Sequence, residues 1–126
     1  MRDGKRVYGS YHAIVDIDGA VYQCLTDDKI AYHAGVSEWR GRKSCNGWTL
    51  GVAVPNAPTQ LPEPQLYALC EWIEERLDRY GLGLSDVTTH ANIARPRGRK
   101  IDMRESAFQQ VMAELTKRRA VNLTEK

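Results

Sequence analysis

The sequence has few cysteines and no long apolar run. Its three cysteines, Cys24, Cys45 and Cys70, include no close pair of the kind that zinc ribbons and thioredoxin-like sites use. An odd number of cysteines is typical of a reducing compartment. No stretch approaches the length of a membrane span, and no apolar run of signal-peptide length follows the charged residues 1–6. We therefore expect synthesis in the cytoplasm and no membrane span.

An excess of charge of either sign is also missing, since 18 Lys and Arg residues against 16 Asp and Glu residues give a formal net charge of +2. This balance excludes a nucleic-acid footprint spread over the whole molecule, so any electrostatic role must be local. With 126 residues, 42% of them hydrophobic and 27% charged, the composition is that of a globular chain. We expect a single domain over residues 1–126, with a flexible tail at residues 119–126.

The first half of the chain predicts strands and a loop. Residues 8–15 and 20–25 flank the turn-forming stretch Asp16-Ile17-Asp18-Gly19, which predicts a β-hairpin. Residues 26–47 are polar and contain glycine, which indicates a long surface loop, and loops of that length are usually functional. The apolar run at residues 48–54 predicts a further strand, buried on both faces.

The second half predicts two helices. Apolar side chains in residues 66–80 follow the 3.6-residue period and stop before Gly81, and a second amphipathic pattern covers residues 107–115. Between them, residues 87–89 indicate a short strand that leads into His90. This order of elements predicts an α/β or α+β fold, in which helices flank a mixed β-sheet.

A histidine and a carboxylate follow the last predicted strand. His90 ends that strand, and Asp102 comes after a basic loop. Such a pair at one end of a sheet can supply two ligands of a catalytic zinc ion, and Lys100 could place a cation where negative charge develops in a transition state. The same residues also fit a partly buried histidine, an aspartate at a helix N-terminus and a solvated lysine, so their spacing alone leaves both interpretations open.

Several ordered motifs between about residues 8 and 108 match one known family. They are Ser10-Tyr11-His12, Asp18-Gly19, Tyr32-His33-Ala34-Gly35-Val36-Ser37-Glu38-Trp39-Arg40-Gly41-Arg42, Cys45-Asn46, Leu50-Gly51-Val52, His90-Ala91-Asn92-Ile93-Ala94 and Lys100-Ile101-Asp102. In these motifs the chain resembles the zinc-dependent N-acetylmuramoyl-L-alanine amidases, the type 2 amidases related to bacteriophage amidase lysozymes and peptidoglycan recognition proteins. The resemblance implies a mixed sheet flanked by helices, and peptidoglycan or its fragments as substrate.

The resemblance also implies a reaction and the residues that perform it. The reaction is hydrolysis of the amide between N-acetylmuramic acid and L-alanine, in which one zinc ion lowers the pKa of its bound water to roughly 7. His90 and Asp102 match zinc ligands, and Lys100 and Tyr11 match catalytic residues that stabilise the tetrahedral oxyanion. Some members instead carry a glutamate where Ala53 stands, so the chain is similar to the tyrosine variant.

The resemblance implies a substrate groove as well. The positions that match the lining of this groove are His33, Trp39, Arg40 and Asn46. The alternative interpretation is that these residues form a surface loop that the packing of Trp39 holds in place.

The first zinc-ligand histidine of the family has no counterpart in this sequence, because His12 and His33 match other family positions. Catalytic zinc normally takes three protein ligands. Three explanations stay open. The sequence is a shortened form of an active amidase, or the third ligand comes from a partner chain or the N-terminal segment, or the chain is a noncatalytic binder of muropeptides.

Partners and location follow from the same comparison. The family's N-terminal strand and helix have no counterpart in this sequence, and their absence would leave sheet edge and apolar surface uncovered, which favours a homodimer. The function lies either in the cytoplasm, on recycled wall fragments, or on the cell wall after release as a phage endolysin. A function of a different class is binding of nucleic acid or another polyanion. It would use a basic cluster that contains Arg95, Arg97, Arg99, Lys100 and Arg104. Such a run of charges is more commonly a loop exposed to solvent.

Overall fold

Among the described residues, five short strands form two small sheets. The computed structural model describes residues 11–31, 34, 37–55, 60–95 and 103–124. In chain order the strands are β1 (Ala13–Val15), β2 (Val21–Gln23), β3 (Glu38–Trp39), β4 (Arg42–Lys43) and β5 (Val52–Ala53). In the larger sheet, β1 lies between β2 and β5, antiparallel to the first and parallel to the second. The sheet is therefore mixed, and the predicted hairpin is confirmed.

The turn between β1 and β2 contacts the first helix, α1 (Glu63–Tyr80). Gly19 has a φ of +91°, and a Cβ atom built on it would lie 2.9 Å from the carbonyl oxygen of Pro64. Glycine is required here both for the positive φ and for the close approach. Gln65, which is fully buried, donates from Nε2 to the carbonyls of Val15 and Pro55, each at 3.0 Å. The hairpin and the end of β5 are thereby held on one helix.

The part of the chain that the structure describes contains two further α-helices, α2 (His90–Ile93) and α3 (Glu105–Thr124). The predicted periodicity of α1 is confirmed, and Gly81 ends that helix with a φ of +66°. Apolar side chains of α1 and α3 meet beside β1 in the main core, which comprises Val15, Leu61, Leu66, Leu69, Cys70, Ala107, Val111 and Leu115. The fold is α+β, as predicted. No helix among the described residues is long and apolar enough to cross a membrane.

The predicted strand at residues 87–89 is wrong. Thr89 is instead the N-cap of α2, because its Oγ1 accepts the backbone N–H of Asn92 at 3.2 Å. This local hydrogen bond gives the backbone an alternative to a strand ladder. His90 is therefore the first residue of a helical turn.

Three other boundaries differ from the prediction. The helix α3 extends to Thr124, into the expected tail. An ion pair between Arg119 Nη1 and Asp78 Oδ1, 2.8 Å apart, connects it to α1. Residues 26–47 contain the β3–β4 hairpin as well as loop. The run at 48–54 forms a strand only at β5, whose two residues are half-buried.

Candidate functional site

The predicted zinc ligand His90 lies at the start of α2 with a half-buried side chain. Its Nε2 lies 3.0 Å from the carbonyl oxygen of Ala34. Because a carbonyl oxygen can only accept, Nε2 carries the proton in this contact. In a neutral imidazole with its proton on Nε2, the lone pair is on Nδ1. A histidine that binds a metal while its other nitrogen donates to a carbonyl has this arrangement.

Ala34 connects this histidine to a second segment. Its backbone N–H donates to Oδ1 of Asn46 at 2.7 Å, and Asn46 lies in a 3-10 turn over Cys45–Gly47. Ala34 is fully buried, with Cys45 and Ile93 as its buried apolar neighbours. One buried residue thus joins a predicted substrate-binding residue to a predicted zinc ligand.

The hairpin of β3 and β4 lies beside this cluster. Its two loop residues, Arg40 and Gly41, have φ angles of +57° and +77°, as a tight two-residue turn with two positive φ angles requires. The indole rings of Trp39 and Trp48 stack with their centroids 5.9 Å apart. The guanidinium of Arg40 lies over the Trp39 ring at 4.6 Å, so Trp39 contacts both a cation and a second indole.

Arg40 also anchors the hairpin to the turn before α2. It contacts Asp86 Oδ1 at 2.7 Å and donates to the carbonyl of Ser85. The backbone N–H of Gly83 and this guanidinium hold the pKa of the Asp86 carboxyl below its usual value. The predicted substrate contact Arg40 is therefore bonded within the chain.

An open groove of about 360 Å³ runs beside Trp39, between the hairpin and the first turns of α3. It combines aromatic rings with hydroxyl, amide and carboxylate groups, a mixture that suits a polar ligand with ring faces. The residues that line it are Trp39, Ser85, Val87, Thr88, Thr89, Asn92, Glu105 and Phe108.

Tyr11 and His12 precede β1. Tyr11 is half-buried, whereas His12 is fully buried. The Nδ1 of His12 accepts the Gly51 N–H at 3.1 Å, and Nε2 donates to the carbonyl of Lys29 at 2.7 Å. His12 thus uses both ring nitrogens to hold the backbone.

The predicted residues His33, Lys100 and Asp102 lie outside the described residues. Within the described ranges, no three His, Cys, Asp or Glu side chains are grouped closely enough to hold a metal ion. The contact of His90 Nε2 with the Ala34 carbonyl nevertheless fits a zinc ligand, since a ligating imidazole normally donates its other N–H to a carbonyl or carboxylate. Of the two ligands predicted from the sequence, the structure thus describes one.

Two residues of this site were missed from the sequence. Asp86 accepts the Gly83 N–H at 2.8 Å, and the Gly-x-x-Asp spacing could have indicated such a turn. Ser37 is buried, pairs with Ala94 as an isolated antiparallel bridge, and accepts the Cys45 N–H on its Oγ at 3.1 Å. Nothing in the local pattern marks Ser37, because its partners come from distant parts of the chain.

Comparison with known proteins identifies the class. The family model described as N-acetylmuramoyl-L-alanine amidase matches residues 1–105, and the chain belongs to this family. A curated relative, the 1,6-anhydro-N-acetylmuramyl-L-alanine amidase AmpD of Citrobacter freundii, is 33% identical over 89 residues, which cover 70% of this chain and 48% of the relative. The chain thus spans about half the length of this curated relative.

Solved structures agree on the fold. A crystal structure of an AmpD derivative has a TM-score of 0.75 and 30% identity, and the match covers 83% of this chain and 58% of that one. The complex of the Escherichia coli amidase AmiD with anhydro-N-acetylmuramic acid-L-Ala-D-gamma-Glu-L-Lys has a TM-score of 0.73 and 24% identity, covering 84% of this chain and 47% of that one. The second likeness concerns the fold alone.

Proposed function

We propose that this chain acts on the amide bond between N-acetylmuramic acid and L-alanine in peptidoglycan fragments. The observation that carries this proposal is the family match over residues 1–105, because that range includes His90, Lys100 and Asp102 in the order that the sequence motifs predict. The orientation of His90 on α2 supports the same assignment.

We assign His90 and Asp102 as ligands of one zinc ion. A bound zinc ion supplies Lewis-acid polarisation of the carbonyl and a water of lowered pKa. The contribution of His90 is orientation, since the Ala34 carbonyl holds its Nε2. Because catalytic sites normally take three protein ligands, zinc occupancy is part of what must be measured.

Lys100 and Tyr11 are assigned to the oxyanion. An ammonium and a phenol that lie within hydrogen-bond distance of the developing negative charge stabilise the transition state more than the ground state. Removing one such donor from an active site costs about 100-fold to 1000-fold in kcat. We expect losses in this range for Lys100→Ala.

The substrate we propose is the free anhydromuropeptide. The name of the Citrobacter freundii relative specifies 1,6-anhydro-N-acetylmuramyl-L-alanine. Trp39 is partly exposed and lines the groove, and Asn46 and His33 complete the predicted groove lining. We therefore favour recycled fragments in the cytoplasm over release as a phage endolysin, for which these relatives give no support.

The test is hydrolysis of 1,6-anhydro-N-acetylmuramyl-L-alanyl peptide by the purified chain with zinc present, followed by mass spectrometry of the freed peptide. We expect cleavage by the wild type and a loss of at least about 100-fold in Lys100→Ala. Lys117→Ala, the same change at an exposed position of α3, is the matched control and should keep wild-type activity. Absence of cleavage by a folded, zinc-loaded wild type would overturn the proposal.

A noncatalytic muropeptide binder is the second candidate. What favours it is that the sequence matches two zinc ligands, His90 and Asp102, where catalytic zinc normally takes three protein ligands. This candidate predicts calorimetric binding of the same fragment without turnover. Light scattering of the same samples tests the proposed homodimer, and a monomer mass at working concentration would exclude it.

A further inference from the structure

We infer that Asn46 is a positioning residue for His90, and that it acts through the backbone of Ala34. The inference deepens the proposed function and rests on it, because it concerns the histidine that we assign there as a zinc ligand. It also changes the role predicted for Asn46, whose Oδ1 bonds to the chain itself.

Ala34 receives a hydrogen bond partner on each of its two backbone groups. Asn46 Oδ1 accepts its N–H at 2.7 Å, and His90 Nε2 donates to its carbonyl at 3.0 Å. Ala34 has no solvent exposure, so neither group can be satisfied by bulk water. Loss of a buried partner leaves the group that remains at its full desolvation cost, and the segment must move to recover it.

Asn46 is itself fixed in place. Its 3-10 turn begins at Cys45, whose N–H donates to the buried Ser37 Oγ at 3.1 Å. Ser37 in turn pairs with Ala94, the residue that follows α2. The turn, the residue Ala34 and the helix that carries His90 therefore form one closed set of contacts.

The consequence for His90 is a single tautomer. If Ala34 moves, the carbonyl that accepts the Nε2 proton moves with it, and the proton is no longer confined to Nε2. Loss of such an outer partner typically costs 10-fold to 100-fold in metal affinity. Asn46 needs only its acceptor atom for this role, since its Oδ1 alone contacts Ala34.

Two variants separate this role from a general structural one. Asn46→Leu keeps approximately the shape but removes the acceptor, whereas Asn46→Asp keeps an acceptor oxygen. The measurement is the nitrogen-15 spectrum of the His90 ring in the metal-free protein, above about pH 8, where an imidazole is neutral. We expect Nε2–H in the wild type and Asn46→Asp, and a mixture of tautomers in Asn46→Leu.

A second readout uses zinc affinity, measured by competition with a chromophoric chelator. We expect a decrease of 10-fold to 100-fold in Asn46→Leu and rescue in Asn46→Asp. An Nδ1–H tautomer in the wild type, or a wild-type His90 signal in a folded Asn46→Leu, overturns the inference. If the leucine variant does not fold, the test is the chemical shift of the Ala34 amide proton in Asn46→Asp. A charged acceptor must change this shift, and an unchanged shift overturns the inference.

These outcomes are independent of turnover. The tautomer is read without zinc and without substrate, so a failure to hydrolyse muropeptides leaves this inference standing. Conversely, an active enzyme whose His90 is unaffected by Asn46→Leu would retain the proposed function and reject the positioning role.

Discussion

Gly51 and His12 bond to each other twice. The His12 N–H donates to the Gly51 carbonyl at 2.8 Å, and the Gly51 N–H donates back to the Nδ1 of the same histidine at 3.1 Å. The pair lies directly before the parallel strands β1 and β5. A side chain thereby continues the sheet where the backbone ladder stops.

Replacing His12 should therefore destabilise the fold. His12→Phe keeps bulk in the buried position but leaves the Gly51 N–H and the Lys29 carbonyl without their partner, which should lower the free energy of unfolding by about 3 kcal/mol. Urea titration followed by tryptophan fluorescence measures this loss. Lys29→Ala is the control, because only the backbone of Lys29 bonds to His12. A loss in His12→Phe that does not exceed the control would contradict the proposed role.

Cys70 should make stability fall at high pH. Burial raises the pKa of its thiol to about 12, from the usual 9.0. Above pH 9.0 the thiol of the unfolded chain loses its proton while the folded one keeps it, so the free energy of unfolding decreases between pH 9.0 and about 12. Below pH 9.0 the contribution of Cys70 is fully present.

Urea titrations near pH 8 and pH 10 test this linkage. The stability difference between the wild type and Cys70→Ala should narrow by about 1 kcal/mol over this interval. Cys24→Ala is the matched control, because Cys24 is exposed in the folded protein and its difference from the wild type should stay constant. If the difference in free energy of unfolding between the wild type and Cys70→Ala does not change with pH, the argument that burial raises the pKa of Cys70 is contradicted.

Trp39 should contribute to ligand binding. Trp39→Ala removes the ring that Arg40 and Trp48 hold beside the groove, and we expect the affinity for an anhydromuropeptide to fall by about tenfold. Calorimetry measures this affinity, with Tyr22→Ala, an exposed aromatic residue on β2, as control.

The same variant distinguishes the polyanion alternative. Binding through the basic cluster near Arg104 predicts an affinity that Trp39→Ala leaves unchanged and that salt decreases steeply. In the structure Arg95, a member of that cluster, donates to the carbonyls of Asn92 and Ala94, each at 3.0 Å. Its guanidinium is thus already bonded to the chain.

The sequence predicts well the elements that local pattern determines. The helix α1 follows from the spacing of its apolar residues and from Gly81, and the β1–β2 hairpin follows from the turn around Gly19. In both, the residues that decide the structure are neighbours in the chain, so periodicity and turn chemistry are sufficient.

Contacts between distant residues could not be predicted in this way. Arg40, for example, bonds to Asp86 across 46 residues of sequence. The link from Asn46 through Ala34 to His90 likewise joins three segments. The family motifs identify several of these residues, but only the structure shows that Asn46 and His90 meet at one backbone unit.

The zinc content of the purified chain tests the central claim most directly. Elemental analysis after metal loading and removal of unbound zinc should give about one zinc ion per chain in the wild type, and no stoichiometric zinc in His90→Ala. The second variant must be folded, which its circular dichroism spectrum establishes. A folded wild type without zinc, or an equal zinc content in His90→Ala, would contradict the account of His90 as a metal ligand in an amidase site.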